Sequence, residues 1–193
     1  IILISLSFVI LKTKIMASSL FKPFNLVNGI FVNNYVSHKS SFKDFWRWRR
    51  ESSKPEPIEF PVVENDPEYL KSNKSEKTIT WVGHSTFLLQ INGLNILTDP
   101  HFTKRASPLS FMGPSRTTPP GLKIDELPFI DFVLISHNHY DHLDSKTIQL
   151  LLKKQNVNQP TFFVPLKLKE IITKLGARNV LEHEWWQMTQ FKN

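Results

Sequence analysis

The sequence predicts an α/β domain, in which helices and strands alternate around a layered sheet. Short apolar runs typical of strands alternate with segments of helical periodicity between residues 78 and 181. Residues 131–136 carry an unbroken apolar run, which is typical of a strand covered on both faces. The 193 residues, of which 40% are hydrophobic and 21% charged, suffice for one globular domain with a buried core.

The first elements of this domain are a strand and a hairpin. Residues 79–82 are predicted to form a strand, which the tight connection Gly83-His84-Ser85 follows. Asn92-Gly93 lies between two apolar runs, and this is the strongest short-range hairpin signal because both residues tolerate positive φ. The hairpin is expected to end at Asp99-Pro100.

Helices and further strands follow the strand at 131–136. A helix is predicted over residues 145–155, with Asp144 as its N-cap and apolar side chains along one face. Residues 161–164 have the composition of a strand. Pro165 is predicted to open a second helix, which ends at Gly176.

The loop after the strand at 131–136 carries the residues that point to chemistry. It reads His137-Asn138-His139-Tyr140-Asp141-His142 and offers three imidazoles and one carboxylate. These are ligands that Zn²⁺ prefers, and open α/β sheets bind ligands at the carboxyl ends of their strands. His137 and His139 alternate and can turn towards one point, whereas Asp141 and His142 reach a second. The spacing therefore suits two metals, about 3.5–4 Å apart, that together activate water.

Other residues near this loop are weaker candidates. Tyr140 is expected to wall the site and contact substrate, and Asn138 to brace the loop. Asp99 and His84 are candidates for orienting a ligand imidazole. The alternative for Asp99 is an Asx turn before a proline, and for His84 a turn residue bonded to backbone. The remaining histidines lack companions at ligand spacing and are expected on the surface: His38, His101 and His183.

Composition limits the partners and the chemistry. The net charge of +7 favours acidic partners, such as phospholipid head groups, phosphorylated substrates or nucleic acid, although solubility alone also explains it. The absence of cysteine excludes disulfides and thiolate metal ligands, and it fits a reducing compartment.

The chain is predicted to have three parts. Residues 1–15 are predicted to be an apolar leader or untranslated read-through before Met16. Residues 16–76 are predicted to form an extended arm that contains several prolines, and residues 77–193 are predicted to form the domain. The arm holds aromatic and cationic residues that suit a membrane interface, stacking on single-stranded nucleic acid, or packing onto the domain. These membrane-contact candidates are Trp46, Arg47, Trp48, Arg49 and Arg50.

The loop motif resembles the H-x-H-x-D-H signature of the metallo-β-lactamase fold superfamily. Further motifs narrow the resemblance, over roughly residues 24–187, to the N-acyl-phosphatidylethanolamine-hydrolysing phospholipase D family. They are Trp81-Val82-Gly83-His84-Ser85-Thr86, Leu97-Thr98-Asp99-Pro100, Arg105-Ala106-Ser107-Pro108, Met112-Gly113-Pro114 and Glu126-Leu127-Pro128. This resemblance implies an αβ/βα sandwich, of which the chain holds about the first half.

The resemblance also implies roles for individual residues. His137 and His139 would bind a first zinc ion, and Asp141 and His142 a second. Asp141 and Asp99 would be the catalytic carboxylates, Asp99 by supporting the site, and Tyr140 would contact the phospholipid. The implied cofactors are therefore two Zn²⁺ ions in the full-length protein.

The implied activity is zinc-dependent hydrolysis of N-acyl-phosphatidylethanolamine to N-acylethanolamine and phosphatidic acid, by an intracellular enzyme peripheral on membranes. A phospholipid substrate, a membrane surface and a homodimer are the expected partners, and no nucleic acid is expected. No aspartate follows Asp144, and His183 is the only histidine after the loop. Further metal ligands of the family pattern are therefore missing, and we expect the 193 residues alone to be inactive. The alternatives are another hydrolase of this fold, such as a sugar-phosphate lactonase or a nuclease, and a non-catalytic membrane-binding fragment.

Overall fold

The computed structural model describes residues 26–33, 41–53, 61, 63–109 and 111–190. The chain divides into two compact units, one of Ile1–Trp46 with Glu184–Asn193 and the other of Arg47–His183. In the first unit, β1 (Leu26–Val27) and β2 (Ile30–Phe31) form an antiparallel hairpin.

The segment rich in tryptophan and arginine forms a helix, α1 (Phe42–Glu51). It begins with reciprocal bonds between Ser41 and Asp44: the Asp44 carboxylate accepts from the Ser41 N–H at 3.0 Å, and the Ser41 Oγ accepts from the Asp44 N–H at 3.2 Å. None of its side chains is buried, and Trp46 and Trp48 are 54% and 63% exposed. The helix therefore presents its aromatic side chains to solvent.

The second unit is a helix followed by a six-stranded sheet with two further helices. Its elements are α2 (Pro67–Ser72), β3 (Thr78–Gly83), β4 (Thr86–Ile91), β5 (Leu94–Thr98), β6 (Phe132–Leu134), α3 (Ser145–Lys154), β7 (Thr161–Pro165), α4 (Lys169–Lys174) and β8 (Val180–His183). The sheet order follows the chain from β3 to β8. Neighbours from β3 to β5 are antiparallel, and those from β5 to β8 are parallel. The predicted α/β sheet is therefore observed, and its strand pairing is mixed.

The core lies on one face of this sheet. Leu88, Leu97 and Val133 of neighbouring strands are fully buried in one cluster with Ile148 of α3. On the opposite face, Leu134 is 37% exposed. The prediction that strand 131–136 is covered on both faces is therefore wrong for the described residues, because an apolar run shows what a strand can bury and not how many layers cover it.

The predicted N-terminus of the first helix after β6 is confirmed, whereas that of the second helix is wrong. Asp144 caps α3 as predicted, since its Oδ1 accepts from the N–H groups of Lys146 and Thr147 at 3.2 and 3.3 Å. The second helix, in contrast, begins at Lys169. Pro165 does not open it, because this residue still pairs with His183 at the end of β7.

Part of the predicted arm belongs to the compact unit. Leu70 of α2 is 4% exposed and lies in the main core. The buried Gln90 amide of β4 donates to the Leu70 carbonyl at 2.7 Å and to Asn95 Oδ1 at 2.8 Å. Its Oε1 accepts from Asn73 at 3.1 Å. These bonds hold α2 against the sheet, so residues before 77 contribute to the domain.

We expect Gln90→Ala to lower the free energy of unfolding by about 2–4 kcal/mol, because it leaves buried polar partners unsatisfied and opens a cavity. Urea denaturation followed by circular dichroism measures the effect. The matched control is Gln149→Ala on the exposed side of α3, which should stay within about 0.5 kcal/mol of the parent. Equal stabilities of the two variants would contradict this account of how α2 is held.

Candidate metal centre

The topology brings the candidate residues to one edge of the sheet. Because β5 and β6 are parallel, their carboxyl ends meet, and Asp99 and Ser136 follow these ends. His84 reaches the same edge in the β3–β4 turn, because β4 is antiparallel to β5 and begins where β5 ends. Residues distant in the chain are thereby neighbours in the fold.

Buried anchors hold the loop after β6 at both ends. Ile135 and Leu143 are 4% and 5% exposed. Between them, the Leu143 N–H donates to the His139 carbonyl at 2.7 Å and closes a turn. At the far end, Asp144 Oδ2 accepts from the Thr103 hydroxyl at 2.7 Å, which joins the loop to the chain after β5. The loop is therefore fixed by packing and hydrogen bonds.

The four predicted ligands lie together as two pairs. His137 Nε2 and His139 Nδ1 are 3.0 Å apart. His142 Nε2 lies 3.6 Å from Asp141 Oδ2. The rings of His137 and His142 have centroids 4.0 Å apart, so the pairs adjoin.

His84 adds a further donor beside the second pair. Its Nε2 lies 2.8 Å from Asp141 Oδ2, and its ring centroid is 5.3 Å from that of His142. One ligand atom each from His84, Asp141 and His142 lies within 4.8 Å of the others. His84 therefore contacts the carboxylate directly, whereas the sequence suggested that it orients an imidazole or bonds to backbone.

Asp99 is buried and holds the loop through hydrogen bonds. This residue is 6% exposed, and its Oδ1 accepts from the Ser136 N–H at 2.7 Å. Its Oδ2 accepts from the Ser136 hydroxyl at 2.7 Å and lies 2.8 Å from His142 Nδ1. Because an ionised carboxylate only accepts, we assign the proton of a neutral His142 to Nδ1, which leaves the lone pair on Nε2 for a metal.

The backbone of Asp99 is held in an unusual conformation. Its φ is +36°, a region that costs free energy for a residue with a side chain. The Asp99 N–H donates to the Leu134 carbonyl at 2.8 Å, and the Asp99 carbonyl accepts from the fully buried Thr86 hydroxyl at 2.8 Å. These bonds keep the carboxylate aimed at Ser136 and His142.

Local electrostatics favour the protonation states that metal binding needs. Burial, together with the neighbouring His142 and His139, lowers the pKa of His137. Burial pushes the pKa of Asp141 upward, but its own backbone N–H and the neighbouring His142 and His84 outweigh that effect, so this pKa is lowered. A neutral imidazole and an ionised carboxylate are the forms that coordinate metals.

Other sequence expectations fare differently. Asn138 and Tyr140 are exposed, Tyr140 by 53%, and their roles stay predictions. The expectation that His101 lies on the surface is wrong: it is 3% exposed, and its backbone N–H donates to the Oγ1 of the buried Thr86 at 3.0 Å. His183 is partly exposed on β8, and His38 lies outside the described residues.

Sequence reasoning missed Ser136, whose hydroxyl contacts Asp99 and lies 2.9 Å from His137 Nδ1. The available signal was its position at the end of the predicted strand, directly before the first histidine. The donor set as a whole fits a divalent cation, because neutral imidazoles and a carboxylate converge at a partly exposed edge.

Comparison with known proteins agrees with this geometry. The family model described as the beta-lactamase superfamily domain matches residues 78–189. The chain belongs to this superfamily. That membership confirms the predicted fold class, and with the donor set it indicates metal ions at the loop.

Relatives confirm the narrower resemblance. The chain is 40% identical over 118 residues to N-acyl-phosphatidylethanolamine-hydrolyzing phospholipase D 1 of Caenorhabditis elegans, covering 58% of this chain and 32% of that protein. It is 36% identical over 141 residues to the mitochondrial enzyme of that description from Saccharomyces cerevisiae, covering 70% and 29%. A UPF0173 metal-dependent hydrolase of Caldivirga maquilingensis is 28% identical over 103 residues, covering 53% and 38%. The chain thus spans about a third of the length of these relatives.

Proposed function

We propose that the complete protein is a zinc-dependent phospholipase D that hydrolyses N-acyl-phosphatidylethanolamine to N-acylethanolamine and phosphatidic acid. The observation that carries the proposal is the convergence of the four loop ligands above the buried Asp99. The similarity to two phospholipases of this description supports the choice of substrate.

The residues of the loop would hold and orient the metals. His137 and His139 would hold one ion, and Asp141 and His142 a second. Bound divalent metals would supply Lewis acidity, which lowers the pKa of water and stabilises charge on phosphoryl oxygens. Asp99 keeps the proton of His142 on Nδ1, and Ser136 ties that carboxylate to the strand end. His84 holds the Asp141 carboxylate in place from the other side.

The direct test is lipid hydrolysis by the complete protein. N-acyl-phosphatidylethanolamine in mixed micelles should yield N-acylethanolamine and phosphatidic acid in equal amounts, and chelation followed by zinc should abolish and restore the activity. Phosphatidylcholine serves as the matched control substrate and should react much more slowly. Hydrolysis of RNA or of a sugar-phosphate lactone without lipid turnover would replace the proposal with another hydrolase of this superfamily.

We further propose that α1 places the enzyme on the membrane surface. Phe42, Phe45 and Trp46 form an exposed aromatic cluster, with ring centroids 6.0–6.2 Å apart, beside the cationic Arg47 and Arg50. Such a face suits a lipid interface, where aromatic rings sit at head-group level and arginines meet phosphate. Among the described residues, no helix has the length and apolar character needed to cross a bilayer.

The variant Trp46→Ala with Trp48→Ala should weaken binding to vesicles that contain anionic phospholipid by about tenfold, because two interfacial indoles are lost. Vesicle sedimentation measures the affinity. The control removes two exposed indoles outside α1, Trp185→Ala with Trp186→Ala, and should bind as the parent does. Unchanged binding of the α1 variant would contradict a membrane role for Trp46 and Trp48.

A further inference from the structure

A cavity of about 710 Å³ opens beside the metal-binding loop, within the unit of Arg47–His183. One part of its wall is apolar and includes Val63, Ile79 and Trp81. Another part is polar and is formed by His84, His101, Arg116 and Asp141. The cavity therefore joins an apolar surface to the carboxylate that would hold a metal.

Arg116 is the positive charge in this wall. It is partly buried, and burial lowers its pKa. Its Nε donates to the Thr118 carbonyl at 3.2 Å, and its Nη1 donates to the His101 carbonyl. Among the described residues it forms no ion pair and its Nη2 donates no hydrogen bond. The guanidinium thus retains donors that the fold does not use.

Gly83 leaves room for this guanidinium. A Cβ added at Gly83 would overlap Nη2 of Arg116. The glycine has φ of +135°, which a residue with a side chain adopts only under strain. Because Gly83 directly precedes His84, the guanidinium lies against the turn that carries the histidine in contact with Asp141.

His101 adds a second polar group to the same wall. Both of its ring nitrogens are buried, and neither meets a described residue with ordinary hydrogen-bond geometry. Burial lowers the pKa of this ring, an effect that the nearby Arg105 backbone partly offsets. A buried polar group without a partner costs about 1–3 kcal/mol, so such a group is expected to meet a polar ligand or water. Its ring centroid lies 6.3 Å from that of His84.

We propose that Arg116 and His101 form a phosphate-binding subsite in this cavity, adjacent to the residues that would hold the metals. Arginine binds phosphate through two parallel N–H groups, which fits the unused donors on the guanidinium. The apolar wall would receive the glyceryl and acyl portions of a phospholipid. This inference deepens the proposed function and rests on it for the identity of the substrate, but not for the recognition of phosphate.

Phosphate binding can be measured without turnover. The complete protein, freed of metal by chelation, is titrated with inorganic phosphate in a calorimeter and should bind it saturably. Arg116→Gln should weaken that binding about tenfold or more, because a charge-assisted pair is lost. Lys104→Gln removes one exposed charge from the same loop and should change the affinity less than about twofold.

A further variant separates binding from folding. Arg116→Lys keeps the charge but loses the paired donors, and it should weaken phosphate binding severalfold while its thermal midpoint stays close to that of the parent. The subsite is overturned if the parent shows no saturable phosphate binding, or if Arg116→Gln and Arg116→Lys bind phosphate as tightly as the parent.

The subsite and the proposed function can fail separately. If phosphate binding depends on Arg116 but N-acyl-phosphatidylethanolamine is not hydrolysed, the substrate assignment fails and the subsite stands. If the zinc-loaded Arg116→Gln enzyme hydrolyses this lipid with the parent's KM and kcat, the subsite fails and the activity stands. A KM raised about tenfold, with a smaller change in kcat, is the result expected if both are right.

Discussion

Asp141→Asn is expected to remove tight metal binding at the second pair of ligands and to lower lipid turnover by about three orders of magnitude or more. Asparagine keeps the shape of the side chain but loses the charge that neutralises the cation. His84 and His142, which lie 2.8 and 3.6 Å from Asp141 Oδ2, also lose their negatively charged neighbour. Several kcal/mol of charge stabilisation depend on a correctly held metal, and about 4 kcal/mol corresponds to a thousandfold in rate.

Metal content and chelator competition measure the first effect, and product release measures the second. Asp125→Asn makes the same isosteric change at an exposed carboxylate, and it should leave both readouts at the parent's values. If Asp141→Asn retained two tightly bound metals per chain, Asp141 would not be a ligand and the assignment of the second pair would fail.

Asp99→Asn is expected to have the next largest effect, although Asp99 would touch neither metal nor substrate. The buried carboxylate accepts from the Ser136 N–H and hydroxyl and lies 2.8 Å from His142 Nδ1. An amide offers one acceptor atom and one NH₂ donor group, and a donor that faces Nδ1 moves the proton of His142 to Nε2. The lone pair that should bind metal is then lost, and metal affinity should fall about 10–100-fold.

The tautomer of His142 can be measured directly, and it would not change if Asp99 had only a structural role. Nitrogen chemical shifts of His142 in the metal-free protein should report a proton on Nδ1 in the parent and on Nε2 in the Asp99→Asn variant. The loss of a charge-assisted bond should also cost about 1–3 kcal/mol of stability. An unchanged tautomer together with unchanged metal affinity would show that Asp99 does not position His142.

Local signals in the sequence predicted much of the fold. Asn92 and Gly93 have φ of +52° and +77°, as the hairpin turn requires. Asp144 caps α3 through its own carboxylate, a contact that spans two and three residues. In each case the partners are neighbours in the chain, so residue type and spacing carry the information.

The same reasoning was wrong where the outcome depends on distant partners. Strand 131–136 was expected to be covered on both faces, yet Leu134 is 37% exposed. The sequence predicts His101 on the surface, but it is 3% exposed, and its backbone N–H donates to Thr86, 15 residues away. Burial depends on which elements pack together, and this information is spread over the chain.

The sequence by itself determined the kind of site: a strand that leads into a loop of clustered imidazoles and one carboxylate, which suits metal ions. Only the tertiary structure decided what surrounds that loop. It brings His84 to Asp141 across 57 positions and His142 to Asp99 across 43, and it lines a cavity with Arg116. The physical reason is that the ability to bind a metal depends on residue types that lie close together in the chain. The orientation and burial of these side chains, and the charged groups next to them, are set only when parallel and antiparallel strands end at a common edge of the sheet.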